Sequence, residues 1–488
     1  MFISVVTLIV LLANQPFAAN NIVYPWRAAK TIVESGTGFE ILFNNLKADP
    51  IDSVIVEGPF NKNGLKIDTI KIGHFEYDPY TRASVNTKIL VKVAPDTPEE
   101  LYDLIIKTEG ETFRSNKSVQ VIQEFKKNHT ILHISDLHIS RQWVGDYHNG
   151  YAKELELLDR FVEVANIIAP DFILVTGDNI HESTRTFEDP DVPRSIEAQE
   201  RPLVEEKWRN YYEGAKGFSG IHGFNAPTFT TTGNHDFYGV YLDDYYAKSL
   251  QWNAMNGKRV FGFSYGDTRV LIADNYLGDP ESDRPSRSPL SGLQGEVLES
   301  YLEENGPGKL RILAQHAHNI IDTCFIDKHK IQIMATGHSH TPDDRYFGST
   351  PTSNIRPGTV SNIGTGNTDT QLGYFRIFRI EGDSYEYSPP LRFTDEPTVP
   401  VETMSVNLTL NFDEPNDGTA NSNRGVIHNN LNYNLYDCII RFVMEKGKYK
   451  INIGNILQII ETDDYSVIDV KVDVNHNEKV EVEIKQAS

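Results

Sequence analysis

The chain has 488 residues, 39% of them hydrophobic and 10% aromatic, and its 68 acidic against 46 basic side chains give a formal net charge of −22. The length exceeds one ordinary core and predicts two or three domains, while the composition excludes an intrinsically disordered chain. The acidic excess argues against wholesale binding to nucleic acid or an anionic membrane, so an anionic substrate would need positive charge concentrated locally, as bound metal ions supply it.

The N-terminal stretch MFISVVTLIVLLANQPFAAN carries an apolar run from Phe2 to Ala13, followed by the small residues Ala18 and Ala19. This reads as a signal peptide over residues 1–19, lacking a basic start, and implies a secreted or lumenal/periplasmic protein. A buried first strand is the alternative, and no later stretch resembles a membrane-spanning helix. From 20 to 125 the texture is short alternating stretches such as FEILFNNL, SVIVEGPF, TKILVKVA and LYDLIIKTEG. These predict a β-sandwich, immunoglobulin-like in outline.

Residues 126–393 change pattern. The apolar runs TILHIS, DFILVTG, TFTTTG, RVLIAD, RILAQH and IQIMATG alternate with helical stretches. Leu155, Leu158, Val162, Ala165 and Ile168 recur at three- and four-residue steps before Pro170, and GLQGEVLESYLEEN after Ser291 predicts a second helix. Such alternation predicts a layered α/β domain, closing with the hairpin-like YFRIFRIEGDSYEY. Residues 394–488 return to period two and predict a smaller β-rich domain, with NDGTANSNRG (416–425) as a polar loop. The two cysteines, Cys324 and Cys438, cannot build a disulfide framework or a zinc ribbon. His74, His129, His428 and His476 read as ordinary surface residues.

Chemistry gathers at the ends of the central strands. In order stand Asp136-Leu137-His138, Gly177-Asp178-Asn179, Gly233-Asn234-His235-Asp236, His316 and Gly337-His338-Ser339-His340. Open α/β sheets place their sites just past the carboxyl ends of strands, and the glycines permit tight turns with close backbone approach. Two Asp, one Asn and four His form a hard-to-borderline donor set suited to Zn, Mn or Fe rather than Ca or Mg. Seven ligands exceed one tetrahedral ion, but through a bridging carboxylate they suit two ions ~3.5–4 Å apart, an arrangement used in phosphoryl chemistry.

This series of five motifs resembles that of the calcineurin-like metallophosphoesterase superfamily, over roughly residues 130–380. The resemblance implies a layered β-sandwich core flanked by helices, here between all-β N-terminal and C-terminal domains. It also implies two transition-metal ions (Fe, Mn or Zn) and hydrolysis of a phosphomonoester or phosphodiester by in-line attack of a metal-bridging hydroxide. Asp136, His138, Asp178 and His340 would hold one ion; Asp178 as bridge, Asn234, His316 and His338 the other. His235 would act catalytically as transition-state stabiliser or general acid, with Asp236 orienting it. Asp274 and Asp322 are candidate acceptors for the second ring nitrogens of the histidines.

Three departures narrow the branch. Purple acid phosphatases have glycine where His138 stands and tyrosine where His181 stands. Nucleotidases of the superfamily follow Asp-x-His with glycine, and here Ile139 follows. Protein phosphatases carry GDxxDRG, and this chain reads GDNIHES. The β-rich flanks are closest in outline to secreted phosphodiesterases and phosphatases, the sphingomyelinase-like branch among them. His181, His318 and Arg141 are candidate substrate contacts, and the segment 189–202 is either a rim of the pocket or a plain surface loop. Possible surface or glycan contacts fall to the β-domains. The competing reading is a non-catalytic secreted binding or adhesion protein, using those β-domains with the central domain as scaffold.

Overall fold

The computed structural model describes residues 21–139, 152–180, 197–237, 245–275, 290, 292–319, 321–347, 352–359, 373–396 and 399–487. The leader reading, His181, Arg141 and residues 189–196 lie outside them.

The centre is a sandwich of two sheets. One sheet contains β1 (Asn128–Ile134), β2 (Phe172–Thr176), β3 (Thr228–Thr231) and, from later in the chain, β10 (Tyr374–Glu381) and β11 (Ser384–Tyr387). Its order is β3-β2-β1-β10-β11, with a short β12 (Leu391–Arg392) also on β10. The other contains β4 (Phe261–Tyr265), β5 (Thr268–Ile272), β6 (Leu310–Ala317), β7 (Ile333–Gly337), β8 (Asp343–Phe347) and β9 (Thr352–Arg356), in the order β4-β5-β6-β7-β9-β8. Strands β1, β2 and β3 run parallel in one sheet, as do β5, β6, β7 and β9 in the other. Their carboxyl ends therefore gather at one edge of the sandwich.

Between the sheets, Ile131, Phe172, Leu174 and Phe229 meet Val270, Ile272, Ile312 and Ile333, all buried. β2 is buried along its whole length, as expected for a parallel strand covered on both faces. Helices α1 (Ala152–Ile168), α2 (Glu197–Glu213) and α3 (Tyr245–Asn256) cover the first sheet with Leu155, Leu158, Phe161, Trp208, Tyr211 and Trp252. Helices α4 (Leu293–Asn305) and α5 (Thr323–His329) cover the second through Leu298, Leu302, Phe325 and Ile326.

The N-terminal region folds as two β-layers. One 17-residue strand, Lys62–Asp78, pairs with Ile51–Glu57 through its first residues and with Ala83–Lys92 through the rest, and so passes between the layers. Phe39, Ile41 and Val91 of one layer pack on Val54, Leu104 and Val121 of the other. Its chain start also threads into the central domain, where Ala28 accepts a backbone bond from Thr230. The C-terminal region forms a four-stranded and a three-stranded sheet. Leu408, Ile440, Phe442 and Val470 there share one continuous core with Leu155, Leu158 and Phe161 of α1.

Some expectations are corrected. His129 is 5% exposed, its ring 4.6 Å from that of Tyr265, and burial pushes its imidazole down to about 4. It follows the period-two face of β1 into the sandwich rather than staying at the surface. The stretch 416–425 is not a free loop: Ser422–Asn429 is a strand, and Asn416 bonds the backbone of Arg441 and Val443. Residues 197–202 open α2 instead of continuing a loop. Cys324 is exposed and Cys438 buried, and both are free thiols. No helix among the described residues is long and apolar enough to cross a membrane.

Candidate metal centre

Each strand delivers its side chains to the common edge. Asp136 and His138 follow β1, Asp178 follows β2, and Asn234 and His235 follow β3. His316 is the penultimate residue of β6, and β7 ends at Gly337, directly before His338 and His340. Ligand atoms of Asp136, His138, Asp178 and His340 lie within 4.8 Å of one another, as do those of Asp178, His316 and His338. Asp178 belongs to both groups. The Asn234 Oδ1 joins the second, 3.1 Å from His316 Nε2.

The turns carrying these residues are strained. Asp136, His138, Asp178, His338 and His340 have φ of 56°, 49°, 50°, 79° and 57°, in the left-handed region that ordinary residues avoid. Such positions cost on the order of 1–3 kcal/mol each and persist only where surrounding bonds enforce them. Here Asp136, His138 and Ile139 donate their amides to the carbonyls of Gly177, Asp178 and Asn179 at 3.1, 2.9 and 3.0 Å. Two loops are thus locked side by side beyond the strand ends. Two glycines are required by close approach. A Cβ on Gly233 would lie 2.0 Å from the Asp178 amide nitrogen, and one on Gly337 would lie 1.9 Å from Ser135 Oγ and 2.8 Å from Asp136 Oδ2.

Hydrogen-bond logic then calls for a cation. His316 Nδ1 lies 2.6 Å from the Thr176 carbonyl, which can only accept, so that nitrogen carries the proton. A neutral His316 would present a bare lone pair at Nε2 to the Asp178 carboxylate and the Asn234 carbonyl oxygen, both 3.1 Å away. Acceptor would face acceptor. A proton can resolve this: burial lowers the imidazole pKa, but Asp178, Asp136 and the Thr176 carbonyl outweigh it and hold it up at about 9. A metal ion resolves it equally. Nε2 of His138 lies 3.1 Å from Nε2 of His340 and 3.5 Å from Asp178 Oδ2, and His340 Nε2 lies 3.4 Å from Asp136 Oδ1. Ligand atoms about 2.1 Å from a shared ion stand roughly 3.0–3.4 Å apart in octahedral or tetrahedral arrangement, so the residues fit the ions. Burial alone would raise the Asp178 carboxyl, yet His316, His235 and His138 hold it well below the usual range.

His235 sits beside these groups, half-buried, its ring 4.5 Å from that of His138 and edge-on to it, while its amide donates to Asp178 Oδ1 at 2.8 Å. Asp236, expected to orient its neighbour, is tied to the backbone of the loops. Its carboxylate accepts from the amides of Asn179, Ile180 and Gly233 and from the Asn179 side chain, at 2.7–3.1 Å. It staples the loop after β2 to the loop after β3. Burial and nearby Asp178 push its carboxyl up to about 8 against those donors.

The acceptor of His316 is visible in the fold. His316 uses a backbone carbonyl, whereas Asp274 pairs with Arg259 at 2.8 Å and Asp322 caps α5 by accepting from the Phe325 amide at 2.9 Å. Sequence reasoning missed Thr176, which offers no side-chain signal for this role. It also missed Asn275, whose side chain brackets the backbone of Ala317 at 2.7 and 3.0 Å, between His316 and His318. His318 lies near His338, ring centroids 5.9 Å apart and planes tilted by 38°, and burial followed by Arg356 and Arg345 lowers its pKa.

A two-sheet α/β sandwich with this His/Asp cluster at its strand ends presents the donor set of a metal-binding site. Residues 129–342 match the family model described as calcineurin-like phosphoesterase. Among solved structures, a Streptococcus pneumoniae TIGR4 protein described as a predicted phosphoesterase is 15% identical, with a TM-score of 0.22, over 54% of this chain and 90% of its own. A Candida albicans 5'-nucleotidase is 13% identical, with a TM-score of 0.32, over 55% of this chain and 52% of its own, so the match spans about half of that enzyme. Vps29 from Entamoeba histolytica, as a single mutant, is 12% identical, with a TM-score of 0.21, over 53% of this chain and 98% of its own. At these scores the likenesses carry no inference about substrate. No curated protein matches the sequence.

Proposed function

We propose that the protein hydrolyses phosphomonoesters or phosphodiesters at a pair of transition-metal ions, Fe, Mn or Zn, bridged by Asp178. The observation carrying this is the position of Asp178 in both ligand groups. Asp136, His138 and His340 would complete one ion's shell, and Asn234, His316 and His338 the other's. When bound, the ions supply a water of lowered pKa and neutralise charge on the phosphate oxygens.

The chain's own residues do the rest. Thr176 fixes the His316 tautomer through its carbonyl, leaving Nε2 aimed into the centre. Asp236 and the glycine turns hold the loops before substrate arrives, so little ordering remains for the reaction step. His235 belongs to neither ligand group, yet its half-buried ring lies against that of His138 and its amide donates to Asp178, beside both groups. From there it can protonate the departing alkoxide.

The test is a panel of mono- and bis-p-nitrophenyl phosphate with protein loaded with Mn, Zn or Fe. Two metal equivalents per chain and turnover of at least one substrate are expected, with both lost in Asp178→Asn and His338→Ala. Wild-type protein that binds two equivalents yet turns over neither ester would overturn the reading.

A further inference from the structure

We propose that the small cavity beside His338 is a subsite for a second anionic group of the substrate, a carboxylate or phosphate a few bonds from the scissile phosphorus. This rests on reading the metal centre as a phosphoester site. The cavity holds about 220 Å³ and is lined by His318, Asn319, Ile321, Arg345, Asn354 and Arg356. Ligand pockets usually hold ~300–1,000 Å³, so this one suits a single charged group on a short chain and is small for a nucleoside.

Its position follows from the topology. The antiparallel pair β8–β9 leaves the His338-Ser339-His340 turn directly and brings Arg345 and Arg356 back against it. Arg356 is the fixed floor: 8% exposed, it donates to Ser339 Oγ, between the two histidines, and to Asp343. Asn354 closes the wall, donating to the His318 carbonyl at 3.1 Å and accepting from Thr336 at 2.6 Å. His318, on the opposite wall, has its ring 5.9 Å from that of His338, which sets the span between metal ligand and pocket.

The charge balance favours an anion. Among the described residues the two arginines lining the cavity, Arg345 and Arg356, share one carboxylate, that of Asp343, while Arg376 behind them lies 3.5 Å from Asp344. Arg345 spends only its Nε on Asp343, at 2.7 Å. Its two terminal nitrogens have no partner among the described residues, and the side chain is 66% exposed. A guanidinium fork anchored at one nitrogen and open at two matches a carboxylate or phosphate edge. In a chain of net charge −22, this cationic surplus next to the metal centre is out of keeping with the rest of the composition.

The experiment compares glycerol 3-phosphate with 3-phosphoglycerate, which differ by hydroxymethyl against carboxylate, and adds glycerol 1,3-bisphosphate as the phosphate arm. Metal-loaded wild-type protein should favour the dianchored substrates in kcat/KM by about tenfold, the worth of one hydrogen bond to a charged group. Arg345→Gln should erase most of that ratio. Preference for the carboxylate arm alone, or the bisphosphate alone, identifies the group taken. Equilibrium binding of the same compounds to the metal-loaded protein gives a readout without turnover, and the same ratio is expected there. Equal affinity and equal kcat/KM for charged and neutral partners, or a ratio unchanged by Arg345→Gln, overturns the subsite. Loss of p-nitrophenyl phosphate turnover with the binding ratio intact would instead remove the phosphoesterase reading and leave the anion pocket standing.

Discussion

The two ends of the central sandwich both concentrate charge, yet differ in how that charge is satisfied. At the amino end of β2 a cavity of about 560 Å³ lies between the N-terminal layers, α1 and the C-terminal sheets. Opposite charges meet there: Lys126 with Asp171 at 2.8 Å, and Arg441 with Asp469 at 2.7 and 2.9 Å and with Glu100 at 3.0 Å. Gln458 ties Asp469 to the Glu99 backbone across the same seam. At the carboxyl end, imidazole nitrogens and carboxylate oxygens converge on one another with strained backbone behind them, and a cation is required to reconcile them. Cavity size therefore points the wrong way, and unsatisfied donor–acceptor logic points to the chemistry.

That contrast can be broken by mutation. The largest effect is expected at the carboxyl end, where His235→Ala should lower kcat about 10²–10⁴-fold, the usual worth of a general acid, while leaving metal content at its wild-type value. Loss of metal along with rate would make His235 a ligand instead. At the amino end Arg441→Ala should cost about 3–5 kcal/mol of stability, because Glu100 and Asp469 would be left buried without their cation, and should leave kcat unchanged. Chemical denaturation and initial rates on the same preparation separate the two. A fall in kcat would show that the seam communicates with the metal edge.

A smaller effect sharpens the comparison. Lys30 is 1% exposed, its Nζ has no hydrogen-bond partner among the described residues, and burial and Lys117 press its pKa down to about 7 against the pull of Asp103. Between about pH 7 and pH 10.4 the unfolded chain keeps this proton and the folded chain does not, so stability rises with pH across that window. Lys30→Met should therefore raise Tm at pH 7, with a gain on the order of a few kcal/mol that shrinks as pH climbs through that window. Thermal melts of both proteins at several pH values check it, and a gain independent of pH would mean that packing alone explains it.

Much of the site was legible because its motifs are local. A strand of apolar residues followed by Gly-Asp or Gly-Asn-His announces both the strand end and the ligand, and parallel strands carry such ends to one edge. The helix with Leu155, Leu158 and Val162 was equally plain from its spacing, and α4 from its sequence after Ser291. Helices α2, α3 and α5 were not read, since their apolar stripes are cut by polar residues that find partners only in the fold, as Tyr211 does on Asn179 at 2.8 Å. His129 was misplaced because a histidine on an alternating strand carries no mark of which face is buried.

The sequence by itself determined the donor set, its order along the chain and the alternation of strands and helices that supports it, because these are properties of neighbours a few residues apart. Only the tertiary structure decided that a backbone carbonyl 140 positions away orients His316, and that Asp236 ties the loop after β2 to the loop after β3. It likewise decided that the C-terminal sheets share a core with α1 instead of standing apart. These are matters of distance across the fold, and side-chain identity leaves them open until the backbone has fixed which acceptor faces which lone pair.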